Sequence, residues 1–216
     1  MPSVTRLGEP ETLADLLERI GRVSPRRIRL RPAPGTATEK DLIAVLEAAD
    51  KRLCELVDGV LVEKPMGAEE SLLAGILVEI LWRFVRPRKL GWIMPPDGAV
   101  RLFPQLVRIP DVSFIRRDRV PDGKFPKVPL LTVVPDLAIE VLSPGNTKSE
   151  MKRKLRDYFL AGIPLVWFIN PPKRTAEVYT SPEKKKEVGV NEALDGGDVL
   201  PGFWLPLKEL FDLAEE

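Results

Sequence analysis

The run at residues 134–144, VPDLAIEVLSP, most restricts what this chain can fold into. It is short, strongly apolar and bounded by prolines, the pattern of a strand central in its sheet. A second buried strand, IPLVWFINP, follows at 163–171. Between them SEMKRKLRDYFLAG reads as a helix, which Ser149 can cap and Gly162 can end. Alternation of this kind gives a mixed α/β (α+β) class, a central sheet flanked by helices. One residue is out of place. Glu140 stands inside the apolar run, and a buried carboxylate is costly unless something pairs with it.

The other elements follow from periodicity and punctuation. Residues 11–20 show helical spacing, and SPRRIRLRPAPGT at 24–36, rich in Pro and Arg, reads as an extended connector. Thr38 is placed as an N-cap with Asp41 at the capping-box spacing. Residues 1–37 are therefore set apart as an N-terminal extension, and 38–216 as the domain. In CELVDGVLVEKP two short strands surround Asp58-Gly59, a two-residue hairpin signal because both turn positions need positive φ. A helix over 68–86 stops at Pro87. GWIMPPDGAVRLF reads as strand, turn and strand, and RIPDVSFIRRDR as a strand with Pro110 at its start. RTAEVYT is expected as an edge strand and KKKEV as a solvated one. LPGFWLPLKELF closes the chain with a short helix.

Composition narrows the chemistry. The chain has no histidine and one cysteine, Cys54. That removes His-based triads, His-zinc sites, cysteine clusters and intrachain disulfides together. Carboxylates, Lys, Arg, hydroxyls or a hard metal ion must do any chemistry. With 33 Lys and Arg against 32 Asp and Glu, the net charge of +1 does not advertise non-specific nucleic-acid binding, though a local basic face stays open. No run approaches transmembrane length, and the N-terminus lacks a basic segment followed by an apolar core. The expectation is a cytoplasmic protein with no membrane partner.

Two strands carry acids in similar settings. Asp111 directly follows Pro110 and opens DVSFI; Glu140 lies in LAIEV. Their separation, 140 − 111 = 29 positions, suits adjacent strands joined by a loop. Two buried carboxylates repel each other if both are ionised. A divalent cation resolves the conflict, and Mg²⁺ takes a few carboxylates and leaves sites for water and phosphate. Spacing alone favours a plainer answer, Glu140 paired with an Arg or Lys on the sheet's face. Lys154, Tyr158 and Gly162 are spaced by four and share one helix face. Lys154 could there orient a water or stabilise transition-state charge, or simply belong to a solvated basic face with Lys152, Arg153 and Arg156.

ELVDGVLVEKPMG, PDVSFI, PDLAIEVLSP, the K-x3-Y-x3-G of 154–162, LVWFINP and LPGFWLPLKELF occur in an ordered set. Together they resemble the Uma-type family of restriction-endonuclease-like proteins, which looks like a branch of the PD-(D/E)XK nuclease superfamily. The resemblance covers about residues 38–213. It implies a mixed sheet core flanked by helices and metal-dependent phosphodiester hydrolysis, with Mg²⁺ or Mn²⁺. Pro110-Asp111 matches the PD element and Glu140 the acidic one. The superfamily's usual lysine would fall at position 142, which is Leu142 here; the resemblance implies Lys154 as its migrated replacement. A further acid comes from the first core helix, where Glu69 or Glu70 could ligate the metal or act as a base. Both could equally be there to favour the positive end of the helix dipole.

The leading expectation is a Mg/Mn-dependent endonuclease acting on nucleic acid, DNA first. Asp111, Glu140 and Glu69 would be its metal ligands, with Lys154 and Glu70 completing the catalytic set. Arg26, Arg27, Arg29 and Arg31, the group Arg116, Arg117 and Arg119, and the group Arg83, Arg86, Arg88 and Lys89 could meet phosphates. Each also reads as ordinary surface charge. The alternative is a catalytically silent module on a nuclease fold, binding nucleic acid or a protein partner. The apolar strands and Trp167 allow a homodimer.

Overall fold

A computed structural model describes residues 10–50, 52–65 and 67–216. Its first elements are helices α1 (Leu13–Arg19) and α2 (Glu39–Glu47), strands β1 (Cys54–Val57) and β2 (Val60–Glu63), and helix α3 (Ala68–Val85). Strands β3 (Gly91–Met94), β4 (Val100–Phe103), β5 (Leu106–Arg108), β6 (Val112–Arg116) and β7 (Leu137–Val141) follow, then helix α4 (Lys148–Leu160). Strands β8 (Leu165–Asn170), β9 (Thr175–Tyr179), β10 (Lys185–Val188), β11 (Ala193–Asp195) and β12 (Trp204–Pro206) lead to helix α5 (Leu207–Asp212).

Six strands form the main sheet in the order β10-β9-β8-β7-β6-β3. β7 and β8 are parallel and the other neighbours antiparallel. A parallel pair needs a crossover, and α4 supplies it. β7 thus takes the central place expected for the apolar run. Its side chains alternate between two cores. Leu137, Ile139 and Val141 join Leu73, Leu77 and Leu81 of α3; Ala138 joins Met151, Leu155 and Tyr158 of α4. Glu140 shares the parity of Ala138 and so faces α4. The class expected from the alternation, a mixed sheet between helices, is the one found. No helix among the described residues is long and apolar enough to cross a membrane.

Several local expectations hold because their causes are local. Thr38 caps α2 in a reciprocal box with Asp41. Asp58 and Gly59 have φ of 49° and 75°, both positive as a tight hairpin needs. Others change. The N-cap of α4 is Thr147, not Ser149: Thr147 Oγ1 accepts the Glu150 N–H at 3.0 Å, and the Glu150 carboxylate accepts the Thr147 N–H. Gly162 does follow the end of α4, with φ of 89°. β9 is interior, because β10 pairs along its outer side; the lysine-rich β10 is the edge, where charge discourages further pairing. The strands at 91–103 part company, β3 to the main sheet and β4 to a four-stranded sheet of order β2-β1-β5-β4. β5 is an additional strand, separated from β4 by a turn with Gln105 at φ 63° and from β6 by Pro110.

Residues 10–37, from the segment set apart as an extension, lie against the domain. Leu16, Ile20 and Val23 are buried in the α4-side core. Arg27 grips Glu150 with two bonds of 2.8 Å and donates to the carbonyls of Glu63 and Gly145. The N–H groups of Gly35 and Ala37 both donate to Gly59 O, at 2.9 and 2.8 Å. Arg29 donates to the Glu63 carboxylate. Two of the four arginines in this basic stretch are therefore turned to protein partners.

Candidate active site

The β6–β7 ladder ends at Val112 and Ile139, and just beyond it the Asp111 N–H donates to Ile139 O at 3.0 Å. The two acids stand at neighbouring ends of paired strands, near enough for the Asp111 charge to act on Glu140, but Asp111 borders a cavity with Glu70, Ser71 and Ala74 of α3 while Glu140 faces α4. Asp111 Oδ2 accepts the Val141 N–H at 2.7 Å. Its Oδ1 lies 2.8 Å from Lys64 Nζ. Lys64 comes one residue after β2, where its N–H donates to Leu53 O and prolongs the β1–β2 pairing. Its side chain is only 4% exposed.

Glu140, 3% exposed, is held from α4. Lys154 Nζ donates to both its oxygens, at 3.0 and 2.9 Å, and the Tyr158 hydroxyl donates to Oε1. The four-residue spacing of Lys154 and Tyr158 places both on the face toward β7. Lys154 is shared, 3.0 Å from Glu55 Oε1 on β1. Glu55 also accepts the Ile109 N–H at 3.0 Å and Arg108 Nη1 at 2.8 Å, and Arg108 Nη2 donates to Asp157 at 2.6 Å. A buried chain of alternating charge results: Glu140, Lys154, Glu55, Arg108, Asp157. Arg153 leans on Asp157 and pairs with Asp58 at 3.0 Å. The basic face of α4 is thus divided, with Lys152 and Arg156 exposed and Lys154 buried.

Burial pushes the Glu55 carboxyl up, but Lys154 and Arg108 outweigh it and hold it at about 2. Glu140 goes the other way. Burial raises it above the ordinary glutamate value, and Asp111 adds to the rise against the pull of Lys154 and Lys64. Burial would discharge Lys154, yet Glu140 and Glu55 raise its pKa and keep it an ammonium. Burial and then Glu140 push the Tyr158 hydroxyl well up, so it remains a donor.

Asp111, Lys64, Glu70, Ser71, Pro96 and Val141 border a cavity of about 20 Å³, room for roughly one water. Glu70 shares this wall, but its carboxylate is folded over Gly67, where an added Cβ would lie 1.8 Å from Oε2. Glu69 is not brought to the site; it borders a separate cavity of about 420 Å³ beside Pro171 and α5. Leu142, at the usual lysine position, packs into the α4-side core. Sequence reasoning does not mark Glu55, Arg108, Asp157 or Lys64. The available signal was the one that marked Glu140, a charge at an inward strand position, and Glu55 and Arg108 both show it.

Among the described residues, no three acidic, cysteine or histidine side chains are grouped to hold a metal. The pair Asp111 and Glu140 still fits a hard cation that takes few carboxylates and completes its shell with water. Both are oxygen donors, and an ammonium already rests on Asp111, marking a place that favours positive charge.

The six-stranded mixed sheet with α4 crossing between the parallel strands β7 and β8 is a restriction-endonuclease-like fold. The Uma2 family, described as "Putative restriction endonuclease", matches residues 40–208, and the chain belongs to that family. Among solved structures it is similar to a putative nuclease belonging to DUF820 from Anabaena variabilis. The TM-score is 0.70 at 20% identity, over 82% of this chain and 98% of that one. At that identity the likeness is one of fold. No curated protein matches the sequence.

Proposed function

We propose that the protein hydrolyses phosphodiester bonds in DNA with Mg²⁺ or Mn²⁺. The observation that carries the reading is Asp111 beside Glu140 where the paired strands β6 and β7 end, with Asp111 opening on a cavity. A bound Mg²⁺ or Mn²⁺ would supply Lewis acidity and a water of lowered pKa. Asp111 and Glu140 would hold it. Lys154 and Tyr158 fix both oxygens of Glu140, so that carboxylate presents one orientation. Lys154 acts through Glu140, since its ammonium is enclosed by two carboxylates and is not on the cavity wall. Glu70 stands on that wall and can accept a proton from water once it leaves Gly67. DNA is the proposed substrate because the family's description is "Putative restriction endonuclease".

The test is nicking of supercoiled plasmid with Mn²⁺ or Mg²⁺, beside an EDTA control and Asp111→Ala. Metal-dependent nicking that Asp111→Ala abolishes, with the fold intact by circular dichroism, is the expected result. An Asp111→Ala protein that nicks as fast as the parent defeats the assignment. A second reading, a silent module on the same fold, is favoured by the smallness of the cavity and by Leu142. It predicts DNA or protein binding with no metal-dependent hydrolysis.

A further inference from the structure

We propose that Lys64 is the resident counter-ion of the Asp111–Glu140 site and gives up its place to a divalent cation. The inference rests on the metal-dependent reading above and deepens it. Lysine heads normally reach for water while their stems cover apolar surface. Lys64 does the reverse. Its side chain is 4% exposed, its ammonium lies 2.8 Å from Asp111 Oδ1, and it also donates to Pro96 O at 3.4 Å. The deeper cations are committed elsewhere, Lys154 to Glu140 and Glu55, Arg108 to Glu55 and Asp157. Lys64 is the cation on the cavity wall among the described residues.

The cavity of about 20 Å³ cannot take a partly hydrated ion and a phosphate oxygen together. Something in its wall must move. Asp111 is tied to the backbone of β7 by the Val141 N–H, whereas Lys64 is a flexible four-carbon stem ending in a freely turning donor. A divalent ion arriving on Asp111 would stand against the ammonium, and like charges at that range repel strongly even at an effective dielectric of about 20. The ammonium would leave and the ion would stay. Lys64 therefore closes the empty site and competes with the metal for Asp111.

The experiment is calorimetric titration of Mn²⁺ into the full chain, comparing the parent, Lys64→Met, Lys64→Arg and Asp111→Asn. Lys64→Met should bind Mn²⁺ about tenfold more tightly or better, because a competing unit charge is gone. Lys64→Arg keeps that charge and should show no gain. Asp111→Asn should bind weakly with either residue at position 64. A Lys64→Met protein that binds no more tightly than a metal-binding parent overturns the inference and leaves the metal reading standing. Absence of Mn²⁺ binding by the parent and Lys64→Met alike overturns both. Circular dichroism verifies that each variant is folded, and Lys64→Gln takes the place of Lys64→Met if the latter is not.

Discussion

Replacing Lys154 with Met keeps most of the side-chain volume and removes the charge at the centre of the buried network. In the structure its ammonium lies 2.9 and 3.0 Å from the two oxygens of Glu140 and 3.0 Å from Glu55. Glu55 would keep Arg108 and the Ile109 N–H; Glu140 would keep the Tyr158 hydroxyl. A unit pair at 3 Å in an effective dielectric of about 20 attracts by roughly 5–6 kcal/mol. Breaking a buried pair by removing one partner typically costs about 3–5 kcal/mol, and that is the expected loss at pH 8. The loss should shrink in acid. Burial already raises Glu140, and without Lys154 it rises further, while the unfolded glutamate stays near 4.3. Between those two values the folded variant binds a proton that the unfolded chain lacks. Its stability therefore climbs as pH falls from the folded pKa toward the unfolded one. Urea denaturation at pH 8 and pH 5, beside the parent, measures both effects. A loss under about 1 kcal/mol at pH 8, the range of an exposed pair, would refute the reasoning. So would a loss equal at the two pH values. Adding Glu140→Gln, which removes the stranded charge and leaves a group that can bond Tyr158, should restore part of the stability.

Two further variants probe the frame around the site. Gly59→Ala puts a Cβ at a φ of 75° and 2.4 Å from Gly35 O. It should cost about 1–2 kcal/mol for the left-handed backbone, more for the collision, and make residues 20–37 easier to cleave in limited proteolysis. Thr147→Ala removes half of the capping box that starts α4 and should cost about 1 kcal/mol in thermal or urea unfolding.

Features with causes a few residues apart were legible. The Thr38–Asp41 cap, the Asp58-Gly59 turn and the shared helix face of Lys154 and Tyr158 depend on near neighbours and on periods of 3.6 and 2. The cap of α4 was legible too: Thr147 with Glu150 is the capping-box pattern, stronger than Ser149 alone. Glu140 stood out because it interrupts an apolar strand, and Asp111 because it opens one directly after Pro110. What no local rule supplied was pairing. That β10 would flank β9, or that residues 91–103 would divide between two sheets, depends on which strand edges meet, and apolar alternation suits many partners.

The same distinction separates the site's parts. From the sequence alone it followed that Glu140 needed a partner, that no histidine could provide it, and that acids, lysines and a hard cation were the available chemistry. Only the tertiary structure decided which groups answer it. It set Lys154 deep between Glu140 and Glu55, and sent Glu69 to another cavity. It joined Arg108 to Glu55 and Asp157 across 53 and 49 residues, and laid Lys64 on Asp111. The physical reason is that a buried charge demands compensation but does not name its source. The source is whichever opposite charge the strand register and the covering helix bring within 3 Å.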